Sequence, residues 1–176
     1  MIITRTPYRI SFFGGGTDYP AWFEKNGGRV LTSTINKYCH ISARYLPQFF
    51  GYRNRIVWSR MECVNDIDQI EHPAVRAGLQ FLDIREGVEI HHDGDLPARA
   101  GLGSSSAFTV RLLNSLYGLK GIMAIKSKLV DEAIYVEQEL LREAVGIQDQ
   151  IQVAHGGINL VEIDRDGHYQ VRPVIM

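Results

Sequence analysis

The sequence predicts a single α+β domain in which strands come first and helices follow. Residues 29–45 alternate polar with β-branched or aromatic side chains, which is the pattern of a long strand with one buried face. Helical segments dominate the later region, from residue 104 to residue 154. The chain has 176 residues, of which 45% are hydrophobic, so it is long enough to bury one sizeable core.

The individual elements follow from local signals. Gly14–Gly16 ends the first strand, and a helix begins at Pro73 and runs to about residue 85. The four strands of the first half are predicted at residues 7–13, 29–45, 54–60 and 88–92. The later helices are predicted at residues 104–117, 125–143 and 148–154. Residues 158–163 and 169–174 flank the turn sequence Asp164–Gly167, which predicts a hairpin.

Composition and charge exclude several classes of function. The formal net charge of −1 provides no bulk attraction to nucleic acid or to an anionic membrane. No apolar run approaches the roughly 18 residues that span a bilayer, and residues 1–5 lack a signal-peptide pattern. Cys39 and Cys63 form no CxxC pair, so we expect a reduced, cytoplasmic chain without structural zinc or a disulfide. No nucleic-acid partner and no membrane partner is expected.

Two charged segments have a functional and a purely structural interpretation. No Asp or Glu lies between Glu24 and Glu62, which indicates either an anion site or a solvated sheet face. The basic residues of this segment are Lys25, Arg29, Lys37, Arg44, Arg53, Arg55 and Arg60. The adjacent His91 and His92 are not expected to share a metal, because neighbouring side chains on a strand point to opposite faces.

The strongest chemical signal is a glycine- and serine-rich loop that leads into a helix. Glycines allow successive backbone N–H groups to point at an anion, and the start of a helix favours a phosphate. Hydroxyl groups at this point can also hold a magnesium ion beside the phosphates. The loop has neither the Gly-Lys-Ser/Thr of a Walker loop nor the third glycine of a dinucleotide fingerprint. A serine-rich helix cap is the structural alternative. The candidate nucleotide-binding residues are Pro97, Gly101, Leu102, Gly103, Ser104, Ser105 and Ser106.

Two further segments carry candidate site residues. Arg9 precedes three glycines and Asp18, whose carboxylate can accept hydrogen bonds from sugar hydroxyls. Asp149 lies near the start of a predicted helix, where it can cap that helix or accept a proton from a substrate hydroxyl. Glu137 lies on the preceding helix, either as a metal ligand or on a solvated face.

Together these segments resemble the GHMP kinases, the family of galactokinase, homoserine kinase and mevalonate kinase. The run from Pro97 to Ala107 is similar to the family's ATP-phosphate loop, and Gly146-Ile-Gln-Asp149-Gln150 is similar to its segment with the catalytic aspartate. The resemblance implies the fold of the family's N-terminal domain and an ATP- and Mg²⁺-dependent sugar kinase.

The resemblance also implies a role for each candidate residue. Asp149 accepts or orients the substrate hydroxyl, and Arg9 stabilises the charge on the transferring phosphoryl group. Glu137 holds magnesium together with Ser104 or Ser105, and the choice of serine stays open. The substrate residues are Gly15, Gly16, Thr17 and Asp18.

The first motif is most similar to the branch of the family that acts on D-glycero-D-manno-heptose 7-phosphate. That branch transfers phosphate to the anomeric hydroxyl, so a sugar phosphate and ATP are the expected small-molecule partners. Nothing in the sequence matches the family's third, glycine-rich motif, so we expect residues 1–176 to form the N-terminal domain without the C-terminal ferredoxin-like domain. A homo-oligomer, a second chain supplying that half, another sugar kinase, and a non-catalytic binding fragment stay open.

Overall fold

A computed structural model describes residues 1–97 and 100–175 of the chain. The strands are β1 (Ile2–Phe13), β2 (Gly28–Tyr45), β3 (Asn54–Val57), β4 (Met61–Val64), β5 (Val88–Gly94), β6 (Ile158–Ile163) and β7 (Tyr169–Pro173). The helices are α1 (Pro20–Asn26), α2 (Pro73–Phe81), α3 (Ser104–Leu119), α4 (Lys126–Tyr135) and α5 (Gln148–His155). A 3₁₀ turn covers Ile67–Gln69, and a π-helical turn covers Val136–Leu140.

The long strand β2 organises the sheet. One edge of β2 pairs with β1, while its other edge pairs with β6 at Gly28–Ser33 and with β5 at Cys39–Tyr45. The remaining order is β4-β3-β5-β2-β6-β7. Among the described strand pairs, β3 and β5 are parallel and the others are antiparallel. A mixed sheet with helices confirms the α+β prediction.

The core lies between the sheet and the helices. Helix α3 packs against β1 and β2, and its Leu112, Leu113 and Leu116 are fully buried with Ile41 and Ile90 of the sheet. A second, smaller core joins α5 to β6. Because α3 and α5 pack together, the loops that precede both helices open at the same end of the sheet. No helix within the described residues is long and apolar enough to cross a membrane.

The structure corrects the bounds of two predicted elements and adds two short ones. β1 begins at Ile2 and not at residue 7, and its side chains alternate in burial up to Tyr8. The short elements α1 and β4 were not predicted, because each buries only one side chain, Phe23 in α1 and Glu62 in β4. The helix predicted at residues 125–143 ends as an α-helix at Tyr135 and continues as the π-helical turn.

Candidate active site

The loop that follows β5 leads to the N-terminus of α3. Gly101 and Gly103 have φ angles of +72° and +71°, a left-handed conformation that glycine adopts without steric cost. Gly103 is the capping residue, so Ser104–Ser106 form the first turn of α3. N–H groups in a first helical turn have no intrahelical acceptor and favour an anion. Pro97 is exposed at the start of the loop, and residues 98–99 lie outside the described residues.

Arg9 and Asp149 meet against this loop. Nε of Arg9 donates to Oδ1 of Asp149 over 2.5 Å, and Nη1 donates to the carbonyl of Gly101 over 2.9 Å. The backbone N–H of Arg9 donates to the carbonyl of Leu102 over 3.1 Å. A Cβ built on Gly103 would lie 3.0 Å from Cγ of Arg9 and 3.3 Å from Oδ2 of Asp149. The structure therefore brings the two candidate catalytic residues into contact with the candidate phosphate loop.

Asp149 combines burial with partial access to solvent. Its side chain is 23% exposed and belongs to the first turn of α5. Burial raises the pKa of Asp149 above its usual value, whereas the hydrogen bond and charge of Arg9 lower it and the nearby Asp18 raises it further. A raised pKa makes a carboxylate a stronger proton acceptor, so this position suits a general base.

Asp18 lies beneath the N-terminus of α5, and only 1% of the residue is exposed. Its Oδ2 accepts from the backbone N–H of Gln148 over 3.2 Å, and its Oδ1 accepts from Nε2 of Gln148 and from the backbone N–H of Gly16, both over 3.0 Å. A Cβ at Gly146 would collide with this carboxylate at 1.9 Å. Direct contact between Asp18 and a sugar would therefore require displacement of Gln148 or of the glycine loop.

The other predicted substrate residues form the turn after β1. Gly15 and Gly16 are exposed, and nothing lies within 4 Å of a Cβ built on Gly16. The hydroxyl of Thr17 donates to the carbonyl of Gly14 over 2.7 Å and accepts from the backbone N–H of Arg29 over 3.1 Å. Thr17 therefore links the turn to β2, and the exposed Gly15 lies close to the side chain of Gln148, whose Nε2 is 3.9 Å from a Cβ built on that glycine.

Glu137 is fully buried in the π-helical turn. Its Oε2 accepts from the Ser106 hydroxyl over 2.9 Å and from the side-chain amide of Gln150. Burial raises the pKa of Glu137 to about 7, and hydrogen bonds from Thr109, Ser106 and Gln150 oppose that rise.

The second carboxylate oxygen of Glu137, Oε1, has no hydrogen-bond partner among the described residues. An unpartnered carboxylate oxygen near the phosphate loop fits a magnesium ligand, because Mg²⁺ prefers oxygen donors. The serine that contacts Glu137 is Ser106, whereas the sequence led us to expect Ser104 or Ser105 as its companion. Ser105 is exposed on the first turn of α3.

A pocket of about 470 Å³ adjoins the first turn of α3. Its lining includes Ser104 and Ser105 together with the aromatic rings of Trp58, His72 and Phe108. The sequence analysis did not identify these aromatic residues as part of a site. The sequence does contain a signal for the position of His72. A side chain that accepts hydrogen bonds just before a helix-starting proline, as in His72-Pro73, is typical of a helix cap.

The two charged segments of the sequence have mainly structural contacts. Four of the seven basic residues between Glu24 and Glu62 pair with carboxylates outside the segment or at its border. These pairs are Arg29–Glu162, Arg44–Glu89, Arg55–Glu89 and Arg60–Glu71. His91 lies against Glu89 on one face of β5, whereas His92 packs on Phe108 on the other, as predicted for adjacent strand residues.

Comparison with known proteins identifies the family. The family model described as the GHMP kinases N terminal domain matches residues 67–157, which is more than half of the chain. The chain belongs to the GHMP kinases. Its match covers α3, the π-helical turn and α5, so it includes both the phosphate loop and Asp149.

Two curated relatives of this GHMP kinase chain are sugar kinases. A D-glycero-alpha-D-manno-heptose 7-phosphate kinase of Campylobacter jejuni is 26% identical over 98% of this chain and 54% of its own length. A galactokinase of Chloroflexus aurantiacus is 27% identical over 98% of this chain and 46% of its own length. The chain thus spans about half the length of these relatives.

Solved structures share the fold. A D-glycero-D-manno-heptose 1-phosphate kinase from Bacteroides thetaiotaomicron superimposes with a TM-score of 0.90 at 23% identity, over 100% of this chain and 60% of that one. The Lactococcus lactis galactokinase in complex with galactose gives a TM-score of 0.74 at 21% identity, over 98% of this chain and 47% of that one. The GHMP kinase N-terminal fold predicted from the sequence is thereby confirmed.

Proposed function

We propose that residues 1–176 form one nucleotide-binding domain that takes part in transfer of a phosphoryl group from Mg-ATP to a sugar hydroxyl. The observation that carries this proposal is the contact of Arg9 and Asp149 with Gly101 and Gly103 of the phosphate loop. It brings a proton acceptor, a fixed positive charge and a run of backbone N–H groups to one place, which is what phosphoryl transfer requires.

The nucleotide would lie along the start of α3. Backbone N–H groups of residues 101–106 would hold the phosphates, and the adjoining aromatic pocket would hold the base. The pocket supports this placement because Ser104 and Ser105 line it together with Trp58 and His72. Aromatic rings provide a stacking surface for a base.

In the transfer step, the substrate hydroxyl oxygen attacks the γ-phosphorus as the bond from that phosphorus to the ADP oxygen breaks. Asp149 takes the hydroxyl proton, and its raised pKa favours that role. Arg9 holds Asp149 in place and adds positive charge beside the phosphoryl group.

Glu137 would hold magnesium through its unpartnered Oε1, with a serine hydroxyl from the first turn of α3. Ser106 and Gln150 both donate to Oε2 and so fix the carboxylate with Oε1 unused. Magnesium supplies neutralisation of phosphate charge when it is bound.

The favoured substrate is D-glycero-D-manno-heptose 7-phosphate, with transfer to its anomeric hydroxyl. Support comes from the first sequence motif and from the Campylobacter relative. The exposed Gly15 and Gly16 would form the sugar side of the site, and Asp18 would contribute by holding Gln148 and the start of α5. Another sugar of the galactokinase or fucokinase type is the alternative substrate.

The test is ADP release by the purified chain with Mg-ATP, with and without heptose 7-phosphate, D-galactose or L-fucose. The expected result is release that depends on heptose 7-phosphate, is lost in Asp149→Asn and is retained in Asp131→Asn, a matched change on the exposed side of α4. ATP-induced stabilisation without release from any sugar would overturn the transfer and leave a nucleotide-binding protein. Sedimentation of the same sample distinguishes a monomer from a homo-oligomer.

A further inference from the structure

In the aromatic pocket beside the phosphate loop, the imidazole of His72 packs against two other aromatic rings. His72 stacks on Phe108 with ring centres 4.7 Å apart and planes at 24°, and Trp58 meets His72 edge-on at 4.9 Å and 74°. Phe108 belongs to α3, whereas His72 precedes α2 and Trp58 follows β3. The imidazole is therefore fixed by packing from two different parts of the fold, and its two nitrogens have defined directions.

A hydrogen bond to one of these two nitrogens indicates which tautomer the neutral imidazole of His72 adopts. Nδ1 of His72 accepts a long hydrogen bond, 3.5 Å, from the backbone N–H of Val75 and so caps α2. A ring nitrogen that accepts carries no proton, so the proton of the neutral imidazole is on Nε2. Burial lowers the pKa of His72, which keeps the ring neutral near pH 7. Nε2–H is thus a donor that points away from α2.

That donor has no acceptor within the described part of the chain, since no hydrogen bond there uses Nε2 of His72. The nearby indole is different: Nε1 of Trp58 donates to Glu62 over 2.7 Å, and the guanidinium of Arg60 covers one face of its ring at 4.7 Å. Trp58 therefore offers only a ring surface, whereas His72 offers a directed hydrogen-bond donor. A planar ligand that carries an acceptor on its edge matches this combination.

We propose that His72 reads the base of the bound nucleotide by donating from Nε2–H to a ring nitrogen of a purine. This inference rests on the proposed function for the placement of the phosphates at Ser104 and Ser105, which line the same pocket as His72. Purines present unprotonated ring nitrogens on their edges, and these nitrogens are acceptors. Ring stacking retains the base, and the His72 donor makes binding depend on one ring nitrogen.

The experiment measures ADP binding by calorimetry, without sugar, at pH 7.5. His72→Asn removes the ring donor but keeps a good helix cap, whereas His72→Phe keeps an aromatic ring and loses both the donor and the cap. We expect each variant to bind ADP about fivefold to tenfold more weakly, the size of one net hydrogen bond. His168→Asn, in the exposed turn before β7, is the matched control and should bind like wild type.

A ligand series separates the hydrogen bond from lost stacking. Wild type is titrated with 1-deaza-, 3-deaza- and 7-deaza-ADP, each of which lacks one ring nitrogen. The expected result is a loss of about fivefold to tenfold for one analogue on wild type and no further loss for that analogue on His72→Asn. Equal binding of all three analogues by wild type, or an equal loss on both proteins, overturns the inference.

The two proposals fail in different ways. Binding with the expected dependence on one ring nitrogen, but without sugar-dependent ADP release, supports the role of His72 and overturns phosphoryl transfer. Sugar-dependent release by a protein whose ADP affinity does not change in either His72 variant retains the transfer and overturns the role of His72. Thermal unfolding of His72→Asn identifies any loss of affinity that comes from an unfolded fraction.

Discussion

The close approach of Gly103 to the catalytic pair can be tested by substitution. Replacement by alanine forces a left-handed conformation on a residue with a Cβ, which costs about 1–2 kcal/mol of folding free energy. The new methyl group would also lie 3.0 Å from Cγ of Arg9 and 3.3 Å from Oδ2 of Asp149. Both distances are below the roughly 3.5–4.0 Å of a good contact, so the side chains must move by several tenths of an ångström.

Gly121→Ala is the matched control for this change. Gly121 follows the C-terminal end of α3 and has the same left-handed φ of +71°, but nothing lies within 4 Å of a Cβ built there. Both variants should therefore lose about 1–2 kcal/mol in the free energy of unfolding measured with urea. Displacement of Arg9 and Asp149 should lower the turnover of Gly103→Ala by about tenfold more than that of Gly121→Ala, because phosphoryl transfer depends on positioning.

Two measurements on each variant decide the outcome, urea unfolding and sugar-dependent ADP release with saturating Mg-ATP. We expect equal stability losses and unequal turnover. Equal turnover in the two alanine variants would contradict this expectation, because the contact of Gly103 with the catalytic pair would then have no functional consequence. A much larger stability loss in Gly103→Ala would mean that the methyl group disrupts folding rather than the geometry of the site.

Three further predictions follow from the contacts of the site. Asp149→Asn should lower turnover by roughly 10²-fold or more, with ATP affinity from calorimetry within about twofold of wild type. Asp18→Asn should lower the melting temperature and the turnover together, because Asp18 holds the start of α5, and the sugar KM should stay within about twofold of wild type. A selective rise in the sugar KM would instead indicate that Asp18 contacts the sugar directly. Burial lowers the pKa of His72 and His92 below 6.5, so the unfolded chain takes up these protons at higher pH than the folded one. The contribution of these two neutral histidines to the free energy of unfolding is complete above pH 6.5 and declines as the pH falls through the lowered pKa values. The free energy of unfolding measured with urea from pH 7.5 to pH 5 should therefore decline less in His72→Asn than in wild type.

The site residues that could be predicted from the sequence are those with a local pattern. The glycines and serines of the phosphate loop indicate an anion site from the sequence alone, because few other structures need that spacing before a helix. Asp149 and Arg9 were found through the order of the motifs, although they are far apart in the chain and the sequence cannot show that they touch. Their contact depends on β1 and α5 packing against the same helix, α3.

What the sequence could not provide is which polar residues are buried and which partners satisfy them. Asp18 is a reasonable sugar ligand by residue type, yet the fold places it under α5, where three donors surround it. Ser106 contacts Glu137 because the chain leaves the regular α-helix after Tyr135, and no periodicity in the sequence indicates that change. Trp58 and His72 become neighbours only through the pairing of β3 with β5 and the packing of α2 on α3.

The π-helical turn sets the direction of the Glu137 side chain relative to Ser106 of α3. In this turn Leu141 N–H donates to the carbonyl five residues earlier, Val136, so the turn holds one residue more than an α-helical turn would. Deletion of one residue would restore α-helical bonding and rotate the residues that follow the turn by about 100° relative to α4. The backbone position from which Glu137 contacts Ser106 would then be lost, whereas the non-helical residues 141–147 separate α5 from that rotation. In this fold a single inserted residue therefore acts as an alignment device for the Glu137 carboxylate.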